Sequence, residues 1–137
     1  MSNHRFEQFQ LSLEKKVVSL FMNVSFGASG APTLVTAANG RPYNRGIQSI
    51  TRNSAGNYTI VFQPVSGSGI DTYQRLLACH YTPLNATAAA APLFRVEADN
   101  SASGNLVVQF ASTAGAATDP ASGEVALIEI KLSNSSL

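Results

Sequence analysis

The sequence predicts an all-β fold, an antiparallel β-sandwich or jelly-roll-like barrel of about eight strands. Three observations lead to this prediction. Apolar and polar residues alternate in several short segments, as side chains do across a strand. Turn-forming residues separate these segments. The sequence shows no apolar spacing typical of a helix longer than one turn, so the regular elements are expected to be strands.

The first third of the chain contains two alternating segments and a long connection. Phe9 to Leu13 alternates apolar with polar residues and predicts a first strand, which the polar residues Glu14-Lys15-Lys16 end. Val18 to Phe26 is the longest clean alternating run and predicts a second strand. Gly27 to Pro42 holds three glycines and two prolines, a composition typical of an irregular loop.

The stretch GIQSITRNSAGNYTIVFQ, from Gly46 to Gln63, predicts a hairpin. Asn at the first and Gly at the fourth position of Asn53-Ser54-Ala55-Gly56 favour a type I turn that closes through a left-handed residue. Ile47 and Ile50 do not share a face of a regular strand, so the arm before the turn is less regular. The bulky apolar residues after the turn share one face: Tyr58, Ile60 and Phe62.

The second half of the chain predicts four more strands. Pro64 to Asp71 is a loop, and Tyr73 to Tyr81 favours a strand because it lacks good helix caps and Pro83 follows closely. Asn85 to Pro92 is alanine-rich and long enough for one helical turn. The remaining predicted strands are Leu93 to Ala98, Leu106 to Ala111 and Val125 to Leu132.

Length and composition predict one charge-poor domain. The chain has 137 residues, which suits a single core. We expect a flexible N-terminal arm over residues 1–8 and one domain over residues 9–137. Charged residues make up 12% of the chain and the net charge is +1, so no strong field attracts nucleic acid or an anionic membrane. A nearly neutral surface does little to repel other proteins, which favours a protein that stays in contact with them.

The chain contains one cysteine, Cys79, so an intrachain disulfide is excluded. The N-terminal residues show no apolar run of signal-peptide type, and no segment has transmembrane length. We therefore expect synthesis and folding in a cytoplasm, without disulfides and without a membrane partner.

Candidate catalytic residues are few. Cys79 and His80 are adjacent, so on a strand they point to opposite faces and do not form a nucleophile–base pair. Zinc needs three or four Cys or His ligands, and the chain has one cysteine and two histidines. Glu97 and Asp99 are two residues apart and are expected to share a strand face, as a carboxylate pair or a calcium site would require, although a solvated strand end is the commoner use.

Two further carboxylates, Asp119 and Glu124, flank the turn at Pro120, and an Asp-Pro pair more often begins a turn than binds an ion. We therefore predict no enzyme activity, no metal and no cofactor.

Most aromatic residues, Phe21 included, are expected in the core, and Tyr43 is the aromatic residue expected outside it. Tyr43 lies between Arg41 and Arg45 in a loop, where it has the chemistry to stack on a sugar or to anchor a protein contact, the commoner use. The candidate partner contacts are Phe6, Arg41, Tyr43 and Arg45.

Three stretches, ITRNSAGNYTIVFQ, TYQRLL and GAATDPASGEVALIEIKLSNSSL, resemble small structural proteins of tailed bacteriophages. The resemblance spans about Phe9 to Leu137 and is weakest over Gly27 to Pro42 and Pro64 to Ile70. It implies a decoration, or cement, protein: a virion structural protein that binds and stabilises the outer surface of the capsid shell.

The same resemblance implies the partners and location of the protein. The partners would be the major capsid protein and further copies of the chain, as a dimer or trimer. The location would be the capsid exterior of the virion, after synthesis in the host cytoplasm. The alternative is a head-fibre or tail component whose β-sandwich binds a carbohydrate or receptor.

Overall fold

The computed structural model describes residues 17–35, 44–63, 75–84 and 92–133. These residues form eight strands and two 3-10 turns, Ala28–Gly30 and Ser101–Ser103. The strands are β1 (Val17–Phe26), β2 (Pro32–Leu34), β3 (Ile47–Ser54), β4 (Asn57–Phe62), β5 (Arg75–Pro83), β6 (Leu93–Asn100), β7 (Asn105–Ala111) and β8 (Val125–Ser133).

The strands form two four-stranded sheets that face each other, which confirms the predicted all-β sandwich. The first sheet has the order β2-β1-β8-β5 and the second has the order β3-β4-β7-β6. Every neighbouring pair is antiparallel. The core lies between the two sheets, so each strand directs one row of side chains inward and one row outward.

One predicted element differs from the structure, and others lie outside the described residues. Pro32–Leu34, inside the predicted loop Gly27 to Pro42, forms the short strand β2 against the end of β1, so the loop prediction was wrong at this point. A segment of three residues is too short for an alternating pattern to predict a strand. The strand β2 forms because it can pair with the edge of β1 beside it. The predicted strand Phe9 to Leu13 lies outside the described residues, as do the N-terminal arm, the loop Pro64 to Asp71 and all of the predicted helical turn except Pro92.

The alternating run in β1 behaves as predicted, because its even-numbered residues from Leu20 to Phe26 are buried. The hairpin prediction is also confirmed: β3 and β4 meet at a turn in which Gly56 has a φ of 68°. The arm before the turn is irregular, as predicted, but the prediction that Ile47 and Ile50 do not share a face was wrong, since both are buried. The register shifts between Ile47 and Ser49, and this β-bulge returns Ile50 to the core face.

Aromatic rings fill one end of the core. Phe26, Tyr58 and Phe110 are fully buried, and their ring centroids lie 5.4–5.6 Å apart in edge-to-face contacts. Tyr81 and Phe94 stack on each other and both contact Phe110. Such pairs stabilise a core beyond the area that they bury, so this cluster fixes how the two sheets face each other.

Candidate functional site

The outer faces of the two sheets differ in chemistry. Odd-numbered residues of β1 point outward, and two of them are large and apolar: Val17 is 41% exposed and Phe21 is 42% exposed. Leu127 of β8 is 43% exposed on the same face. The described outer face of the second sheet has only Leu93 as an exposed large apolar residue, and that residue begins the edge strand β6. The first sheet therefore presents the more apolar surface.

Phe21 and Leu127 border a shallow groove near the middle of the first sheet. Phe21 lies directly opposite Glu129, and Leu127 lies directly opposite Asn23, so the two apolar side chains are diagonal neighbours across β1 and β8. The groove has a volume of about 180 Å³ and is lined by Phe21, Met22, His80, Thr82, Leu127, Ile128 and Glu129.

Charged and polar groups surround this apolar centre. Glu129 lies 3.7 Å from the ammonium group of Lys131, and the exposed His80 lies opposite Glu129 on β5. An apolar centre with a polar rim is the usual arrangement of a protein-binding surface, whereas the groove is small for a drug-sized ligand. The geometry therefore suits contact with another protein better than capture of a small molecule.

The structure places one of the four candidate contacts, Arg45, beside this face. Arg45 exchanges two backbone hydrogen bonds with Phe21, with N···O distances of 3.1 and 2.7 Å. Arg45 is exposed. Phe6, Arg41 and Tyr43 lie outside the described residues, so their predicted roles stay predictions.

Sequence reasoning missed Phe21 and Leu127. The expectation that Phe21 is a core residue was wrong, because its side chain is exposed on the outer face. Its phase was visible in the sequence: Phe21 alternates with Leu20 and Met22, both of which are buried. An aromatic residue in the polar phase of a strand is the signal that identifies this face.

Cys79 and His80 lie on opposite faces of β5, as predicted. Cys79 packs against the core, and burial raises the pKa of its thiol to about 12. His80 is exposed on the outer face. A thiol that stays protonated at neutral pH is a poor nucleophile, so this cysteine acts in packing.

Glu97 and Asp99 do not share a face, so that prediction was wrong. A bulge between Val96 and Ala98 adds a residue to β6 and changes the phase of the strand. The amide of Asn57 donates a hydrogen bond to Glu97 on the outer face. Asp99 instead lies opposite the buried Leu106.

Asp99 joins the two sheets. Its carboxylate accepts hydrogen bonds from the backbone amides of Leu76, in the first sheet, and Ser101, each at 3.0 Å. Partial burial opposes ionisation of Asp99, but a hydrogen bond from the Ser101 side chain, together with those from the two backbone amides, outweighs it and lowers the pKa of the carboxyl group. The geometry gives Asp99 a structural role at the end of β6.

Asp119 is held by protein groups from three other segments. Its carboxylate accepts hydrogen bonds from the guanidinium of Arg52 and the amide of Gly56. The hydroxyl of Tyr58 lies 2.9 Å from Asp119 Oδ1 and 2.8 Å from the carbonyl oxygen of Gly30. These donors occupy the oxygen atoms that a cation would need, so the arrangement stabilises the fold.

Glu124 is a buried carboxylate at the start of β8 and is 3% exposed. The hydroxyl of Tyr81 donates a hydrogen bond to its Oε1, while Oε2 has no hydrogen-bond partner among the described residues. Burial, and then this hydrogen bond, raise the pKa of Tyr81. Across residues 17–35, 44–63, 75–84 and 92–133, no three Cys, His, Asp or Glu side chains come together in a group able to hold a metal ion.

Comparisons with protein families, characterised proteins and solved structures found no significant match to this chain. Within the described part of the chain, no helix is long and apolar enough to span a membrane.

Proposed function

We propose that this protein is a virion structural protein of a tailed bacteriophage that binds the outside of the capsid shell, where it acts as a decoration protein. The observation that carries the proposal is the exposed pair Phe21 and Leu127 in the middle of the first sheet. The stretches that resemble phage structural proteins supply the class of partner, and the outer face of the first sheet supplies a surface for it.

The physical properties of the protein suit this role. A rigid sandwich holds Phe21 and Leu127 in place before binding, so little conformational entropy is lost on docking. The net charge of the protein is +1, so long-range electrostatic repulsion between copies of the protein is weak. Many copies on one particle turn a modest contact into durable attachment when copies are joined to one another.

Binding to shells that lack the protein tests the proposal. Purified protein is mixed with such shells and with tails, and the bound copies are counted after sedimentation. We expect saturable binding to shells at a fixed copy number and greater resistance of the shells to heat. Failure to bind any head or tail preparation would refute the proposal, and binding to tails alone would support the alternative of a tail component.

A matched pair of variants tests the docking face. Leu127→Asp places a charge in the proposed interface, where an unpaired buried charge is costly, so we expect the affinity for shells to fall roughly tenfold or more, which corresponds to about 1.4 kcal/mol. Leu93→Asp makes the same change at a leucine of the second sheet that is 53% exposed, and we expect unchanged binding. The opposite result would move the interface to the second sheet.

A further inference from the structure

One edge of β1 is only partly paired. On one side β1 pairs with β8 along Val17–Ser25. On the other side the amide of Asn23 donates to the Asn44 side chain, and its carbonyl accepts from the Val35 amide. Further along the same edge, Phe21 exchanges two backbone hydrogen bonds with Arg45. The edge is therefore partnered from Ser25 to Phe21, and no described residue pairs with it beyond Phe21.

The open part of the edge consists of Val17 and Ser19. Backbone groups of every second residue face the same side of an antiparallel strand, so these two residues direct their N–H and C=O groups to the side where Arg45 bonds Phe21. Among the described residues none pairs with them there. A concave space of about 650 Å³ lies beside this edge, lined by Val17, Val18, Ser19, Leu20, Phe21, Arg45 and Gly46.

The chain itself leaves this edge at Gly46. Gly46 has a φ of 74°, a left-handed conformation that favours glycine. A Cβ atom there would lie 2.3 Å from Leu20 Cδ2, so glycine lets the chain pass close to β1. The next residue, Ile47, begins β3 in the second sheet. An open strand edge is a template for another strand.

The residues just before β1 have the pattern of such a strand. Phe9, Leu11 and Leu13 alternate with polar residues, although they lie outside the described residues. A tight hairpin back onto β1 would turn at Glu14-Lys15-Lys16, which holds no Gly, Asn, Asp or Pro. Short hairpin loops depend on residues that adopt a left-handed conformation. The sequence of this linker therefore favours an extended segment that continues the direction of β1 over a tight hairpin.

We propose that two copies of this chain pair along this edge, with residues 10–13 of each copy lying antiparallel to residues 17–20 of the other. The two-fold axis then passes at Lys15. This register places Glu14 opposite Lys16 twice, once for each copy, and places Leu13 opposite Val17. Opposite charges and apolar pairs directly across strands stabilise such a contact.

The same register accounts for the exposure of Val17. Its side chain is 41% exposed, and Leu13 of the second copy lies beside it on the outer face. The paired edge ends at Leu20, because Arg45 already occupies the position opposite Phe21. Lys15 faces its own symmetry mate, a like-charge pair that weakens the contact. This inference is independent of the proposed function, because it concerns pairing between two copies of the purified protein in the absence of capsid shells.

A single-cysteine experiment tests the pairing in the full chain. Lys15→Cys is combined with Cys79→Ser and the protein is oxidised. Hydrogen-bonded residues opposite each other lie about 5.5 Å apart between Cα atoms, a distance that a disulfide spans, so we expect most of the protein to become a covalent dimer. The matched control is Ser25→Cys with Cys79→Ser: Ser25 lies on the same face of β1, but its edge is occupied by Thr33, and we expect little dimer.

A second variant separates exchange between copies from folding back within one copy. With Leu11→Cys and Ser19→Cys in the Cys79→Ser protein, exchange gives a covalent dimer that intact-mass measurement identifies. An oxidised monomer with an internal disulfide would overturn the proposal, and so would the absence of any cross-link in both variants.

A third variant removes the like-charge pair. We expect Lys15→Thr to lower the dimer dissociation constant about two- to fivefold, measured by sedimentation equilibrium. An unchanged or raised dissociation constant would overturn the register about Lys15.

Discussion

The guanidinium of Arg52 donates two hydrogen bonds to the carboxylate of Asp119, with Nε 2.9 Å from Oδ1 and Nη2 2.8 Å from Oδ2. The two residues are 67 positions apart in the chain. Arg52 belongs to β3, and Asp119 lies in the connection that leads to β8. Because the amide of Gly56 also donates to Asp119, at 2.8 Å, this carboxylate ties that connection to the β3–β4 turn.

Replacing Asp119 with Asn tests this tie. Asn keeps the size of the side chain, but it loses the charge and presents an NH₂ group to donors that need an acceptor. We expect Asp119→Asn to lower the free energy of unfolding by about 1–3 kcal/mol, measured by urea denaturation at neutral pH. A variant as stable as the natural protein would show that the Arg52 and Gly56 contacts contribute little in solution.

The same carboxylate predicts a loss of stability in acid. Hydrogen bonds from Arg52, and then from Gly56 and Tyr58, outweigh partial burial and lower the pKa of Asp119 to about 2, from a usual value of 3.8. A carboxyl group with a depressed pKa stabilises the fold above its unfolded pKa, and this contribution disappears as the pH falls through the folded value. We expect about 2 kcal/mol to be lost between about pH 4 and pH 2.

The control for this acid transition is Asp119→Asn. Since the variant has no carboxyl group at this position, its unfolding free energy should fall less steeply between about pH 4 and pH 2. Asp99 also has a lowered pKa, so some acid sensitivity should persist in the variant and should decrease further when Asp99→Asn is added. Equal slopes for the natural protein and Asp119→Asn would contradict the assignment.

The sequence predicted the sheets better than it predicted their faces. Alternation located β1, β4, β7 and β8 because each keeps a period of two over most of its length. Faces failed where a bulge adds one residue, at Ile47–Ser49 and at Val96–Ala98. A bulge depends on how a strand meets its neighbour, so Ile50 and Asp99 were assigned to the wrong side by regular counting.

The candidate site was harder to predict than the fold. The sequence predicts a partner contact at Arg45 from its place in a loop, whereas its described contact is a backbone bridge to Phe21. The position of Phe21 in the polar phase of β1 indicates an outward side chain, whereas its aromatic character favours the core, and the structure follows the phase. The exposure of Leu127 was harder to predict from the sequence. The outer row of β8 contains both apolar and charged residues, so the packing of the sheets is needed to show which row is exposed.

Cys79 is predicted to be nearly unreactive while the protein is folded. Its thiol has a pKa raised by burial to about 12, from an ordinary value of 9.0. At pH 8 this change lowers the thiolate fraction about a thousandfold, and the thiolate is the reactive form. We expect a chromogenic thiol reagent to label Cys79 very slowly in buffer and rapidly in denaturing urea. Rapid labelling of the folded protein would place Cys79 in an open position.

Gly56 and Gly104 form a matched pair for the cost of a side chain at positive φ, with φ values of 68° and 82°. A Cβ atom at Gly56 would lie 2.4 Å from the carbonyl oxygen of Phe110 and 2.6 Å from the amide nitrogen of Thr118, whereas nothing lies within 4 Å of one at Gly104. Gly104→Ala therefore meets only the cost of the left-handed conformation, about 1–2 kcal/mol.

Gly56→Ala meets that cost and a clash with two backbone atoms that no side-chain rotation relieves. We expect its unfolding free energy to fall by roughly 1–3 kcal/mol more than that of Gly104→Ala, measured by thermal and urea unfolding of both variants. Because the amide of Gly56 donates to Asp119, the clash should also weaken the Asp119 contact, so Gly56→Ala should lose part of the acid-sensitive stability that Gly104→Ala keeps. Equal destabilisation of the two variants would mean that β4 and β7 separate easily at this turn.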